Sequence, residues 1–369
     1  MTGTMRITVI GAGHGGKAMA AHLALMGYPV TLYNRTFLNI SAIASRGGLD
    51  MDSFDGGPRG FGRLARVTSD VEVAADADVI MVVIPSSAHA EIAALLAPHL
   101  RDGQILVLHP GRTGGALEVR QVLDQAGCTA QVLLAEAETL IYASRSDGPA
   151  QVRLFSIKET VPLAALPATD TAAVLEALAE PYPQFINGTS VLHTGLNNMG
   201  AIFHPALTLL NAGWIESTQG EFQFYLEGVT PSVARVLEEL DRERVTVAAA
   251  IGIRARTAQE WLKMAYDASG ENLYEAIHNQ PGYRGIKAPS TLNHRYVFEE
   301  VPMSLVPIAA LGRRYGVSVQ AIDAMIRLAC TIHQTDYWRR GRTLNKLGIE
   351  QLSVTELTRY AMEGKREPR

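Results

Sequence analysis

The turn Gly11-Ala12-Gly13-His14-Gly15-Gly16 is the first place in this chain where residue types and spacing could do chemistry. An apolar strand-like run precedes it, and an Ala- and Leu-rich helical stretch follows directly. In that setting Gly11 permits a tight turn, Gly13 lets backbone approach a phosphate, and Gly16 lets helix pack closely on strand. The free N–H groups and partial positive charge at the helix start then suit a pyrophosphate. Gly11, Gly13, His14, Gly15 and Gly16 are therefore expected to hold NADP or NAD.

Where NAD-specific domains usually carry an acid for the ribose 2′-hydroxyl, the second strand-like run ends in Asn34-Arg35-Thr36. Asn34 is neutral, and Arg35 offers a planar charged fork to a 2′-phosphate. Asn34, Arg35 and Thr36 thus predict NADP over NAD; an Arg35 that is solvated or stacked on adenine is the competing account. Ile84-Pro85-Ser86-Ser87-Ala88-His89 follows the next strand at the carboxyl edge, which places Pro85 and Ser86 beside the cofactor. His89 reads as a capping or surface residue, and His109-Pro110-Gly111 as a segment closer to the nicotinamide.

Two clusters in the second half could act on substrate. Pro205 sits inside a helical pattern and crowds the carbonyl of Ala201, which predicts a kink presenting His204 to a cleft. A histidine satisfied in the core is the alternative. In His294-Arg295-Tyr296-Val297-Phe298-Glu299-Glu300, the arginine could grip an anionic substrate and a carboxylate could orient a histidine. An exposed charged loop is the alternative there. Asp241-Arg242-Glu243-Arg244 reads as a mixed-charge solvated helix face.

These residues need elements to place them. Arg6–Ile10, Pro29–Tyr33, Val79–Ile84, Ile105–Leu108 and Val132–Ala135 are nearly continuous apolar runs, as in parallel strands buried on both faces. Gly16–Met26 suits a crossover helix, and the Gly-rich Leu49–Arg66 reads as loop with a possible edge hairpin. After Pro181-Tyr182-Pro183 helical patterns take over: Ala201–Ile215, Pro231–Ile251, Ala258–Ala268, Val306–Tyr315 and Val319–Thr331. The fold class is α/β, with a doubly wound Rossmann domain over 1–183 followed by an all-helical substrate domain over 184–369.

Composition narrows the partners. Thirty-three basic against 37 acidic residues give a net charge of −4, without the basic face that nucleic acid requires. No apolar run is long enough to span a membrane. The N-terminus lacks signal-peptide character, and Cys128 and Cys330 have neither metal-type spacing nor a pairing pattern. The expected setting is cytoplasmic, with small-molecule partners and no metal.

Taken together, the motifs resemble the octopine and nopaline dehydrogenases, the opine dehydrogenase family, over nearly the whole chain. The resemblance rests on Gly11–Leu23, Ala135–Arg145, His204-Pro205 with Leu210-Asn211, Phe222–Val233, Arg295–Pro307 and Asp336–Gly348. It implies a Rossmann domain joined to a helical one, and reductive condensation of an amino acid or other amine with a 2-oxo acid, together with the reverse oxidation. By resemblance His204 matches the catalytic histidine, a general acid/base in imine formation. Arg295 matches a carboxylate-holding arginine, and Glu300 stands where the family usually has aspartate, which leaves Glu299 as a second candidate for the histidine's partner. Substrate contacts are implied at Arg295, Asn198, Thr139 and Tyr142, and a homodimer is left open. Two alternatives are a ketone reductase like ketopantoate reductase or glycerol-3-phosphate dehydrogenase, and a non-catalytic NADP-binding sensor.

Overall fold

The computed structural model describes residues 5–54 and 57–365. Its chain forms two compact units, one running to Thr194 and resuming at Arg359, the other covering Gly195–Thr358. The division thus falls after residue 183, and the last turns of the chain return to the first unit.

The first unit is built on an eight-stranded sheet, ordered β12-β11-β8-β7-β6-β1-β2-β5. Its central strands β1 (Ile7–Ile10), β2 (Val30–Tyr33), β6 (Val79–Val82) and β7 (Ile105–Leu108) are fully buried along their lengths. They pair in parallel, with β5 (Arg66–Thr68) beside β2 and β8 (Leu133–Ala137) beside β7. From β1 the chain winds outward through β2 to β5, then restarts on the other side with β6. This reversal between β1 and β6 is where doubly wound sheets bind ligands, outside the carboxyl ends of the strands. The edge β11 (Val161–Leu166) and β12 (Phe185–Asn187) runs antiparallel to β8.

A second, four-stranded sheet departs from the sequence expectation. Where the sequence reads chiefly as loop, Gly48–Ser53 (β3) and Gly60–Arg63 (β4) pair antiparallel, and β3 also pairs in parallel with β10 (Gln151–Ile157), which pairs antiparallel with β9 (Tyr142–Gly148). Helix α1 (His14–Leu25) packs against all four of these strands as well as β1 and β2. Covered on both sides, α1 is buried almost all round, from Gly16 through Ala21 and at Leu23. That accounts for a helix apolar without a polar face. Gly62 is required in β4, since a Cβ there would lie 2.7 Å from the Ala21 carbonyl.

The second unit is helical. Asn211 divides the first long pattern, so Gly200–Leu210 is a separate helix that continues unbroken through Pro205. The remaining principal helices are Pro231–Ala250, Ala258–Tyr266, Val306–Arg314 and Gln320–His333. Thr257 and Glu260 start the second of these with a reciprocal capping box. The charged run Asp241–Arg244 is not a solvated face. Asp241, Glu243 and Arg244 are buried. The Arg244 guanidinium bonds Asp241 Oδ1 and the carbonyls of Leu196 and Arg256, while Glu243 accepts from the backbone of Ala321 and Ile322. A buried charge is tolerated only when paired and hydrogen-bonded in this way. Among the described residues no helix is long and apolar enough to cross a membrane, and no cluster of three His, Cys, Asp or Glu could hold a metal. Cys128 and Cys330 are free.

Candidate active site

The glycine turn has the shape a dinucleotide needs. Gly11 has φ +109°, and a Cβ there would meet the Val83 carbonyl at 2.4 Å. At Gly16 a Cβ would lie 1.9 Å from the Gly11 carbonyl, so strand, turn and helix close tightly only with glycine. Gly15 faces the Leu140 side chain at 2.6 Å. By contrast nothing in the protein approaches a Cβ built on Gly13, the exposed cap residue before α1. The fold itself thus calls for Gly11 and Gly16, while the bare backbone of Gly13 is open to a ligand. No acidic residue occupies the first turn of α1, leaving its partial positive charge to an anion. His14 opens α1, and its Nδ1 accepts the Ser146 backbone N–H from β9 at 2.9 Å.

At the end of β2, the Asn34 amide donates to the Thr36 carbonyl at 2.9 Å. The Arg35 guanidinium straddles both Glu91 oxygens at 2.6 and 2.8 Å, and both side chains are largely exposed. Arg35 is thus presented at the surface, oriented by a carboxylate from α2 (His89–Leu96).

Several expected contacts lie elsewhere. Ser86 is buried, leaving Pro85 and Ser87 exposed at that edge. His89 is fully buried, not a surface residue. His109 is buried against Met81 and Phe185, and burial pushes its imidazole down to about 3. Tyr142, expected to contact substrate, is a core residue of the first unit whose hydroxyl bridges His22 Nδ1 at 2.8 Å and the Tyr182 hydroxyl at 3.0 Å. Buried tyrosine hydroxyls take such partners because leaving them unpaired is costly. Thr139 is half-buried just after β8 and accepts from Lys158.

The second unit gathers the others. His204 extends from the helix Gly200–Leu210, its ring stacked 4.1 Å from Tyr296. Its Nδ1 lies 2.9 Å from Glu300 Oε1. The other Glu300 oxygen accepts the Ser304 hydroxyl at 2.7 Å, and Ser304 accepts the Asn198 amide at 2.8 Å. Asn198, expected as a substrate contact, is instead buried behind the carboxylate. Glu300 precedes a π-helical segment, Val301–Leu305, of the kind often found at functional sites. Its neighbour Glu299 takes a different partner: Arg295 reaches it with Nε at 3.0 Å and Nη2 at 2.9 Å. The carboxylate paired with the histidine is therefore Glu300. Both glutamates are buried, whereas the His204 and Arg295 side chains are 22% and 49% exposed. His294 caps the short helix Arg295–Phe298 and packs edge-on against Tyr296.

A nucleotide-type sheet followed by a helical unit with a carboxylate-held histidine defines the class of two-part NAD(P)-dependent dehydrogenases. The family model for the NAD/NADP octopine/nopaline dehydrogenase alpha-helical domain matches residues 187–333, and that for the NAD binding domain of 6-phosphogluconate dehydrogenase matches residues 6–122. The chain is 40% identical to an opine dehydrogenase from Arthrobacter sp. (strain 1C), over 96% of this chain and 98% of that one. A solved octopine dehydrogenase described with NADH and L-arginine superposes with a TM-score of 0.81 at 20% identity, covering 99% of this chain and 100% of that one. An NADP+-bound yersinopine dehydrogenase gives 0.77 at 14% identity, covering 95% and 99%. The chain belongs to the opine dehydrogenase family, NAD(P)-dependent oxidoreductases acting on CH–NH bonds.

Proposed function

We propose that this protein condenses an amino acid or other amine with a 2-oxo acid and reduces the resulting imine, and that it also runs the reverse oxidation. The observation that carries this reading is the bond from His204 Nδ1 to Glu300 Oε1. A carboxylate on Nδ1 holds the proton there and turns Nε2 toward the reaction as the exchanging atom. His204 Nε2 first takes a proton from the substrate ammonium; the freed amine nitrogen attacks the oxo carbon, the C=O π pair moves to oxygen and an N–H proton passes to it, which gives a carbinolamine. His204 Nε2 then donates a proton to the carbinolamine hydroxyl, which leaves as water, and the nitrogen lone pair completes the C=N bond. When bound, the dinucleotide supplies the hydride to the imine carbon or accepts it in the reverse direction. Arg295, oriented by Glu299, can take a substrate carboxylate with its planar fork.

Gly11, Gly13, His14, Gly15 and Gly16 would hold the pyrophosphate, with Asn34, Arg35 and Thr36 at the adenosine ribose. Arg35 and the absence of an acid at Asn34 support NADP as the preferred form. Among the structural relatives one is described with NADH and another with NADP+. The decisive experiment is a matrix of amines and 2-oxo acids with NADPH and NADH, scored by cofactor consumption and product mass. The expected product is a secondary amine. Cofactor oxidation by an oxo acid without amine would indicate a ketone reductase, and binding without turnover across the matrix a sensor; either overturns the proposal.

A further inference from the structure

One desolvated cation of the first unit has no part in the chemistry above. Lys158 directly follows β10, and its backbone N–H bonds the Ile141 carbonyl at 2.9 Å, which holds it against the segment after β8. Its ammonium donates to Thr139 Oγ1 at 2.7 Å. An ammonium has three N–H groups, and no other described residue takes a second from Lys158. Arg112, after β7, and Glu138, after β8, both act on it electrostatically. Segments following β7, β8 and β10 thus bring two cations, a hydroxyl and one carboxylate together near the carboxyl ends of parallel strands, where such sheets bind ligands.

Burial pushes the Lys158 ammonium down to about 8; Glu138 opposes that shift and Arg112 adds to it. A lysine serving only to close an ion pair would have its carboxylate hydrogen-bonded to it, since half-burying an ammonium against a neutral hydroxyl is unfavourable. A bound anion would offset that cost.

With an amino acid as the amine, the proposed product carries two carboxylates, and Arg295 can take one. The carbon that accepts hydride is C2 of the oxo acid, one bond from its own carboxylate. The group that holds this carboxylate therefore belongs near the nicotinamide, on the unit that binds the dinucleotide. We propose that Lys158 Nζ, with Thr139 Oγ1, seats the carboxylate of the 2-oxo acid. This rests on the reading of the reaction given above.

The test uses the full-length protein saturated with NADPH and pyruvate, 2-oxobutyrate or 2-oxoglutarate as probe. In Lys158→Met the KM of the preferred oxo acid rises roughly tenfold or more, as loss of a charge-assisted hydrogen bond implies, while amine KM and NADPH Kd stay within about twofold. Lys158→Arg restores part of the loss. In the wild type oxo-acid affinity falls as pH rises through about 8, and in Lys158→Met that dependence disappears. An unchanged oxo-acid KM, or a parallel loss for all three ligands, overturns the assignment. Should Lys158→Met not fold, tryptophan fluorescence of the wild type with each oxo acid at pH 6.5 and 9.5 decides it. Equal affinity at both pH values, or no binding of any of the three, rejects the seat. Failure of every amine to support turnover rejects the reaction, while this binding measurement still judges Lys158.

Discussion

His204 and Glu300 stand 96 residues apart in sequence, yet their side chains meet at 2.9 Å with the glutamate 1% exposed. General acid–base groups contribute about 10²- to 10⁴-fold to rate. His204→Asn is therefore expected to lower kcat by at least about 100-fold with NADPH Kd unchanged, measured by stopped-flow turnover and fluorescence titration. Glu300→Gln should also lower kcat strongly, because an amide can present its donor to Nδ1 and favour the wrong tautomer. Near-normal turnover in either variant would refute the dyad.

Asn198 and Ser304 support Glu300 from behind. Ser304→Ala and Asn198→Ala should each reduce kcat by about three- to tenfold with little change in either substrate KM, as expected for one lost hydrogen bond to a charged chain. Because they act in series, the double variant should be little worse than the poorer single one. Additive losses would show that they act separately.

Glu91 orients Arg35 but would also repel a 2′-phosphate. Glu91→Gln is expected to tighten NADPH binding several-fold while leaving NADH unchanged, and Arg35→Ala to weaken NADPH selectively. Paired cofactor titrations at low and high salt check this, since exposed charges are screened. Equal effects on both cofactors would count against an Arg35 contact to the phosphate.

His109 links acid stability to burial. Unfolded, its imidazole takes a proton near pH 6.5; folded, it stays neutral to about 3. The unfolded state therefore binds more protons in this window, and His109 costs stability progressively as pH falls below 6.5. By pH 4 the loss is about 3 kcal/mol. Urea unfolding at pH 7 and pH 4 should show a smaller acid loss in His109→Met than in the wild type.

The central strands were legible because Ile7–Ile10, Val30–Tyr33, Val79–Val82 and Ile105–Leu108 are buried on both faces and read as apolar runs. Histidine, arginine and glutamate at the second-unit site were legible through the family motifs, although only the fold could decide between Glu299 and Glu300. The second sheet was not legible: β9 is the polar run YASRSDG, with Tyr142 its one buried residue, and the sheet is completed by β10 pairing with β3, a strand distant in sequence. Arg244 escaped for a similar reason, since charges at i and i+3 look solvated until carbonyls from Leu196 and Arg256 surround them. Lys158 and Thr139 are 19 residues apart, and nothing in either segment announces the other.

The hairpin formed by β9 and β10 holds His14 of the glycine turn through Ser146 and delivers Lys158 to Thr139 at its open end. The strands pair from Tyr142 with Ile157 to Gly148 with Gln151, with register shifts between Gln151 and Val152 and between Leu154 and Ser156; a single-residue deletion in the ladder between Ser146 and Lys158, outside those shifts, would move one attachment relative to the other and reverse the facing of the side chains up to the next shift. Insertions that the exposed turn could accommodate as loop would leave them in place. Length variation in this hairpin is thus constrained in phase, and chimeras between relatives should exchange residues 142–158 as one block.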